Sequence, residues 1–304
     1  MSRSFTHDDL VRAIETSDLE QVREIISTKS IDLNVKLAEE KRFLHIAASF
    51  YNKDIFEFLL SSGAGTRAKD MYGTTALHIA AKHGNIETIR ILIDNGAEAD
   101  EPNATGTTPI FYAAACSHIE AAQLFIDYGR SLNDKNNKGR TPFHFAIINE
   151  APASTLEDLV RLGADPLAID NLGNNSFHIA AIDGDLKKIA SKLKDLGCDI
   201  NHQNIMGNTA LHILAKDGKL EEIKALVDLG ASTDILDRNG SNFIEWAFIG
   251  KHYEILQELA EIAASHANSG EDVREAGGGG GEGGSAPAEE PAEDGDDAGL
   301  LGDG

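Results

Sequence analysis

Apolar residues along most of the chain come in short groups whose spacing fits α-helices. In residues 70–102, a narrow group formed by Leu77, Ala80 and Ala81 predicts a first helix that Gly84 ends. A second group at helical spacing follows it: Ile86, Ile89, Leu92 and Ile93. Gly96 predicts the end of the second helix as a left-handed cap. The hydrophobic pattern therefore predicts a helix–turn–helix unit.

This unit recurs along the chain with a spacing of 33 to 34 residues. Its most regular stretch reads Gly-Thr-Thr-Ala-Leu-His-Ile-Ala-Ala and begins at Gly73. Copies begin at Gly106, Gly139, Gly173 and Gly207, and a weaker one begins at Gly240. A further copy, Phe43–Ala48, keeps the helix but lacks the glycine. A fixed period of this length indicates a stack of repeats, each packed on its neighbours.

Each residue type in the motif suits its place. The glycine favours a turn with positive φ. Thr75 is placed to cap the first helix, because its hydroxyl can accept a hydrogen bond from a free backbone N–H. Pro109 and Pro142 follow the capping residue in two copies, where a missing N–H costs nothing. The first helix of each repeat, called the inner helix below, is therefore predicted to start near Thr75, Thr108, Thr141, Asn175 and Thr209.

The motif resembles the Thr-Pro-Leu-His-x-Ala signature of the ankyrin-repeat family, over roughly residues 5 to 268. The resemblance implies an all-α solenoid of helix–turn–helix units joined by β-hairpin-like loops, with about seven to eight repeats including caps. It also implies a structural role between neighbouring repeats for one recurring histidine, found as His45, His78, His144, His178 and His212.

The expected domain organisation is an ankyrin-repeat domain over 1–268 and an acidic, Gly-rich tail over 269–304. The repeats are expected at 3–36 (cap), 37–69, 70–102, 103–135, 136–169, 170–203, 204–236 and 237–268 (cap). The tail has almost no apolar content, so we expect it to be disordered.

Charge and composition exclude several classes of function. The net charge is −23, and residues 269–304 contribute a net charge of −10 to it. Such a surface argues against nucleic-acid binding. We expect no membrane span, because no apolar run approaches the required length. Two cysteines suggest no disulfide framework. A cytoplasmic monomer is expected, with the nucleus, or a host cytosol if the chain is a bacterial effector, as alternatives.

Catalytic and cofactor chemistry has little support. The chain has no Cys-x-x-Cys or His-Glu-x-x-His spacing for zinc, and its glycine run lacks the Lys-Ser/Thr ending of a phosphate loop. We therefore expect no catalytic residue, metal or cofactor. Cys116 is expected to fill space or to act as a redox-sensing thiol. Asn201 resembles a substrate of asparaginyl hydroxylases, and the alternative is an asparagine chosen for its turn geometry.

The family resemblance places partner contacts at the tips of the hairpin-like loops, called hairpin tips below, and on the exposed face of the inner helices. Counted from the first residue of each repeat, these are positions 2, 3, 5, 13 and 14. In this chain, bases outnumber acids by three at those positions. The aromatic, Met and basic side chains there predict a partner-binding surface made of Phe50, Met71, Tyr72, Lys82, His83, Lys138 and Arg140. An acidic, partly apolar segment of another protein would fit it.

The sequence therefore predicts a non-enzymatic protein–protein interaction module: an adaptor, scaffold or inhibitor that binds through its concave face. Two alternatives stay open. One is an autoregulated sensor whose acidic tail competes for the groove, and the other is a bacterial effector that acts on host proteins.

Overall fold

The computed structural model describes residues 5–50 and 52–269, with side chains to residue 265. These residues contain sixteen α-helices, two short 3₁₀ helices and no strand. The all-α prediction is confirmed. The helices are α1 (His7–Glu15), α2 (Leu19–Ser27), α3 (Phe43–Ser49), α4 (Lys53–Ser61), α5 (Ala76–Lys82), α6 (Ile86–Asp94), α7 (Pro109–Ala115), α8 (Ile119–Asp127), α9 (Pro142–Ile148), α10 (Ala153–Arg161), α11 (Ser176–Asp183), α12 (Leu186–Asp195), α13 (Ala210–Lys216), α14 (Leu220–Asp228), α15 (Phe243–Ile249) and α16 (Leu256–Ser269).

The chain divides into two compact units. The N-terminal unit comprises Met1–Ala146 and Ser154–Asp165, and the C-terminal unit comprises Ile147–Ala153 and Pro166–Gly304. The acidic tail expected at 269–304 lies outside the described residues from residue 270 onward. No described helix combines the length and the apolar character that crossing a bilayer would require.

The N-terminal unit is built of two helix layers. Helices α1, α3, α5 and α7 pack successively in one layer, and α2, α4, α6 and α8 form the other. The face of α5 that packs into the core carries mostly small side chains, and Leu77, Ala80 and Ala81 are fully buried there. Ile89 and Leu92 of α6 close the same core. Small side chains on one layer and branched ones on the other let short helices pack closely.

The C-terminal unit follows the same rules. Helices α11, α13 and α15 pack in sequence, and α12, α14 and α16 pack behind them. The last helix, α16, has 14 residues and is longer than α12 and α14, the outer helices before it.

Helix starts agree with the sequence predictions. Thr75, Thr108, Asn175 and Thr209 are the N-caps of α5, α7, α11 and α13, all with extended backbone. Gly84 and Gly96 have φ of +64° and +87°, which explains why each helix of that pair ends at glycine. The copy without the motif glycine differs: Glu39 and Glu40 adopt φ of 54° and 57° in its place.

Candidate functional site

Six hairpin tips are held by an acidic or amide side chain that begins the repeat, whereas the repeat that lacks the motif glycine begins with Leu37. The Oδ1 atom of Asp70 accepts hydrogen bonds from the backbone N–H groups of Tyr72, at 2.9 Å, and Thr74, at 2.7 Å. The same pair of bonds, to the second and fourth residues onward, is made by Asn103, Asn136, Asp170, Asn204 and Asp237. This role was not predicted from the sequence, although an Asp or Asn stands three residues before each motif glycine and was its signal.

Backbone hydrogen bonds join successive tips. The N–H of Met71 donates to the carbonyl of Glu39, and the N–H of Ala104 donates to the carbonyl of Tyr72, both at 2.9 Å. The main chain is thus occupied by repeat stacking, while the side chains of Met71 and Tyr72 stay 57% and 42% exposed. The tip presents two large apolar side chains on a fixed backbone.

The other residues that were predicted to bind a partner lie at the ends of inner helices or, for Lys138, on a later hairpin tip. Phe50 and His83 are the C-caps of α3 and α5, and Lys82 is the last residue of α5. The side chains of Phe50 and Lys82 are half-buried, as is that of Lys138, which occupies a later tip. These residues therefore lie at the C-terminal ends of inner helices or on hairpin tips. Their arrangement as one continuous strip stays a prediction.

The structure corrects the predicted exposure of Arg140. The sequence placed it on the exposed surface, but it is only 8% exposed. It stands at position 5 of its repeat, where Thr107, Asn174 and Asn208 are also buried. The cause is visible at Asn174, whose Oδ1 accepts a hydrogen bond from the Nδ2 of Asn204, the first residue of the following repeat, at 2.9 Å. In these four repeats the side chain at position 5 is therefore covered by the stack, whereas Lys41, Thr74 and Ser241 at the same position are half-buried.

The recurring histidines join neighbouring repeats. The Nε2 atoms of His45, His178 and His212 lie 2.8 to 3.2 Å from backbone carbonyls of the next repeat. Burial lowers the pKa of His178 to about 4, so its ring is neutral near pH 7. The described residues contain no group of three His, Cys, Asp or Glu side chains that could hold a metal ion.

Asn201 and Cys116 have ordinary structural roles at a turn and at a helix end. The Oδ1 of Asn201 accepts the backbone N–H of Ser232 at 2.8 Å, a bridge that Asn34 and Asn133 also make to the following repeat. Hydroxylation of Asn201 stays a prediction. Cys116 is the C-cap of α7 and not part of the helix, and burial raises the pKa of its thiol. A raised pKa leaves little thiolate for redox chemistry.

The structure adds a surface that the sequence analysis did not single out. In the C-terminal unit, a cavity of about 110 Å³ opens between the tips and the inner helices. Its apolar lining consists of Leu172, Ile182, Ile205, Met206, Ile213 and Trp246. Leu172, Ile182, Ile205 and Met206 stand at repeat positions that the sequence predicted to face a partner. Ile213 and Trp246 stand at position 10, which was not among those positions.

Comparison with known proteins agrees with this architecture. A family model described as ankyrin repeats (3 copies) matches residues 10–103, 95–170 and 177–269, which together cover most of the chain. No curated protein shows significant similarity to the chain.

Proposed function

The chain belongs to the ankyrin-repeat family, and from that premise we propose that it is a non-enzymatic module that binds a protein partner through the concave face of its repeats. Ankyrin repeats are generally protein–protein interaction modules. One observation carries the assignment to a surface: Met71 and Tyr72 are large, apolar and exposed on a tip whose backbone is already held by its neighbours. Side chains that stacking does not need are free to be selected for binding.

The proposed partner is an acidic, partly apolar segment. Lys82 lies at the end of α5 and Lys138 lies on a later tip, so two lysines accompany the apolar pair. Burial lowers the pKa of His83, beside Lys82, so its ring is neutral near pH 7. The chain as a whole is acidic, with a net charge of −23, whereas bases outnumber acids at the predicted contact positions. Rim charges of this kind increase the rate of association and favour partners of opposite sign.

We propose that the chain acts as an adaptor, scaffold or inhibitor, as a monomer in the cytoplasm or nucleus. Neither Cys116 nor Cys198 forms a disulfide, which supports a reducing compartment. An effector acting in a host cytosol would use the same surface. The family is typically non-enzymatic, and the neutral, buried histidines serve repeat packing.

Site-specific photocrosslinking tests this proposal. A benzophenone amino acid replaces Tyr72 in the full chain, which is then irradiated in extract from cells that express it. Matched probes replace Glu87 and Glu222, which lie in the first turns of α6 and α14 on the outer layer. We expect one dominant adduct at position 72 that added unmodified chain competes away. Equal adduct patterns at the three positions would contradict the proposal.

A further inference from the structure

The last inner helix, α15, leaves an apolar surface uncovered in the C-terminal unit. Phe248 stands at position 12 of its repeat and is 60% exposed. In the six repeats before it, the residue at position 12 is 1% exposed at most: Ala48, Ala81, Ala114, Ile147, Ala181 and Ala215. Successive inner helices pack on one another, as α15 does on α13, and α15 is the last inner helix that the structure describes. Position 12 is therefore a stacking position, and no described repeat covers it on α15.

Two further apolar side chains extend this surface. Ile249 and Tyr253 are 48% and 55% exposed, although Leu186, at the position of Tyr253 in an earlier repeat, is 2% exposed. The rings of Phe248 and Tyr253 pack edge-on, with 5.3 Å between their centres. We call Phe248, Ile249 and Tyr253 the end surface. Large aromatic side chains that hold each other in place are typical anchors of a protein interface, because little conformational freedom is lost on binding.

The first repeat of the chain has the opposite character. The exposed residues of α1 and α2 are all polar or charged: His7, Asp8, Arg12, Glu15, Glu20, Arg23, Glu24 and Ser27. A polar outer face is what a terminal repeat needs to stay soluble. Such a face does not match the apolar end surface, so head-to-tail contacts between copies are disfavoured. The matching surface is a second end surface, and two like surfaces meet around a two-fold axis, which closes the assembly at a dimer.

The charges beside the end surface have both signs, as a self-complementary contact requires. The exposed side chain of Lys251 forms no ion pair with any residue in the part of the chain that the structure describes. The carboxylate of Glu254 is exposed as well and lies 3.2 Å from the Nδ1 of His252. In a two-fold contact, Lys251 of each copy meets a carboxylate of the other, so the same two residues supply two ion pairs.

We propose that two copies of the chain pair reversibly through their end surfaces. Phe248 and Tyr253 of one copy pack on those of the other, and Lys251 pairs with Glu254 across the two-fold axis. The net charge of −23 on each chain opposes association, but physiological salt screens charges beyond about 8 Å, so the apolar contact decides. The contact is small, so we expect a dissociation constant on the order of 10 µM. At lower concentration, the chain is the monomer of the proposed function.

The pairing concerns a surface other than the Met71–Tyr72 tip, which belongs to the N-terminal unit. A pair carries two copies of the proposed concave face and holds two partner segments, which raises the apparent affinity for a partner that presents the segment twice. This consequence rests on the proposed function, and the pairing itself does not.

Sedimentation velocity of the full chain tests the pairing, at protein concentrations from about 1 to 200 µM. We expect the sedimentation coefficient to rise from the monomer to the dimer value across this range, and Phe248→Glu to weaken the dimer at least about tenfold. The matched control is Leu236→Glu, which replaces a side chain that is 51% exposed in the same unit but outside the end surface. A monomer at every concentration, a dimer that Phe248→Glu leaves unchanged, or growth beyond the dimer would each overturn the proposal.

A second measurement reverses the charges beside the end surface. Lys251→Glu and Glu254→Lys each place like charges in contact, so each variant alone should dimerise about tenfold more weakly. An equimolar mixture of the two variants should pair as well as the unchanged chain, because each copy then meets the opposite charge. A mixture that stays monomeric would overturn the two-fold contact. Both residues are exposed, so these reversals leave the core intact and keep the test valid if Phe248→Glu unfolds the chain. Neither measurement involves a foreign partner, so its outcome is independent of the crosslinking result.

Discussion

The Nε2 atom of His78 lies 3.0 Å from the carbonyl oxygen of Thr107, 29 residues further along the chain. The Nδ1 atom of the same ring accepts the backbone N–H of Thr75 at 3.1 Å. One neutral imidazole therefore caps its own helix and donates to the next repeat. A protonated ring would lose the first of these bonds, because it has no acceptor nitrogen.

The first prediction concerns acid stability. Burial lowers the pKa of His78 and of His178 from 6.5 to about 4. Because the unfolded chain takes up protons first, this stability is fully present above about pH 6.5 and is lost as pH falls toward 4. Between pH 7 and pH 5, we expect each of the two histidines to cost about 2 kcal/mol.

Urea unfolding of the full chain at both pH values measures this loss, with His78→Gln as the comparison. The variant should be less stable at pH 7 and should lose less on acidification. An equal loss in both proteins would show that His78 does not titrate on unfolding in this range.

The second prediction compares two threonines at the same repeat position. Phe111 stands where other copies have histidine, and it packs edge-on against Phe145 at 5.2 Å between ring centres. The buried Oγ1 of Thr108 is left without a hydrogen-bond partner, whereas that of Thr75 lies 2.9 Å from His78 Nδ1. We expect Thr75→Val to cost about 1 kcal/mol and Thr108→Val to be nearly neutral. Denaturant unfolding of the two variants decides, and a larger loss at Thr108 would be the contrary result.

The third prediction concerns the copy that lacks the turn glycine. Glu40 has φ of 57°, in the left-handed region that costs free energy for residues with a Cβ atom. We expect Glu40→Gly to raise the melting temperature by about 2–4 °C. The matched control is Glu40→Ala, which also removes the exposed ion pair to Lys36 but keeps the Cβ atom. A similar rise in the alanine variant would mean that backbone strain is not the cause.

The fourth prediction separates strain from steric contact at the motif glycines. Gly73 and Gly240 have nearly the same φ, +77° and +81°. A Cβ atom at Gly73 would lie 2.7 Å from the backbone nitrogen of Ala104, whereas a Cβ atom at Gly240 would meet nothing within 4 Å. We expect Gly240→Ala to cost about 1–2 kcal/mol and Gly73→Ala distinctly more. Thermal melts of both variants measure the difference, and equal losses would count against the tip-to-tip packing.

The fifth prediction applies once the crosslinked partner is known. Tyr72→Ala should weaken binding by about 2 kcal/mol, roughly 30-fold, with little loss of stability. Lys82→Glu should mainly slow association at low salt. Arg140→Glu should lower the melting temperature instead, because its side chain is buried. Surface plasmon resonance and thermal melts on the same proteins separate the two effects, and Glu87→Ala is the control. A control as weak in binding as Tyr72→Ala would place the interface elsewhere.

The sequence by itself determined the repeat architecture and the ends of its helices. Those features follow from local chemistry: a threonine hydroxyl or a proline at the helix start, and glycine where φ must be positive, as at Gly84 and Gly96. The 33-residue period then required that every unit pack on its neighbours, and the structural use of His45 and His212 follows from the family pattern.

Only the tertiary structure decided which repeated side chains reach solvent. Arg140, at position 5 of its repeat, is buried, while Met71, at position 2 of its own, is exposed. The cavity lined by Ile205 and Trp246 likewise depends on residues from two successive turns and three helices. Exposure in a stack of repeats is set by the neighbouring unit, about 33 residues away, and no local pattern of apolar and polar residues records it.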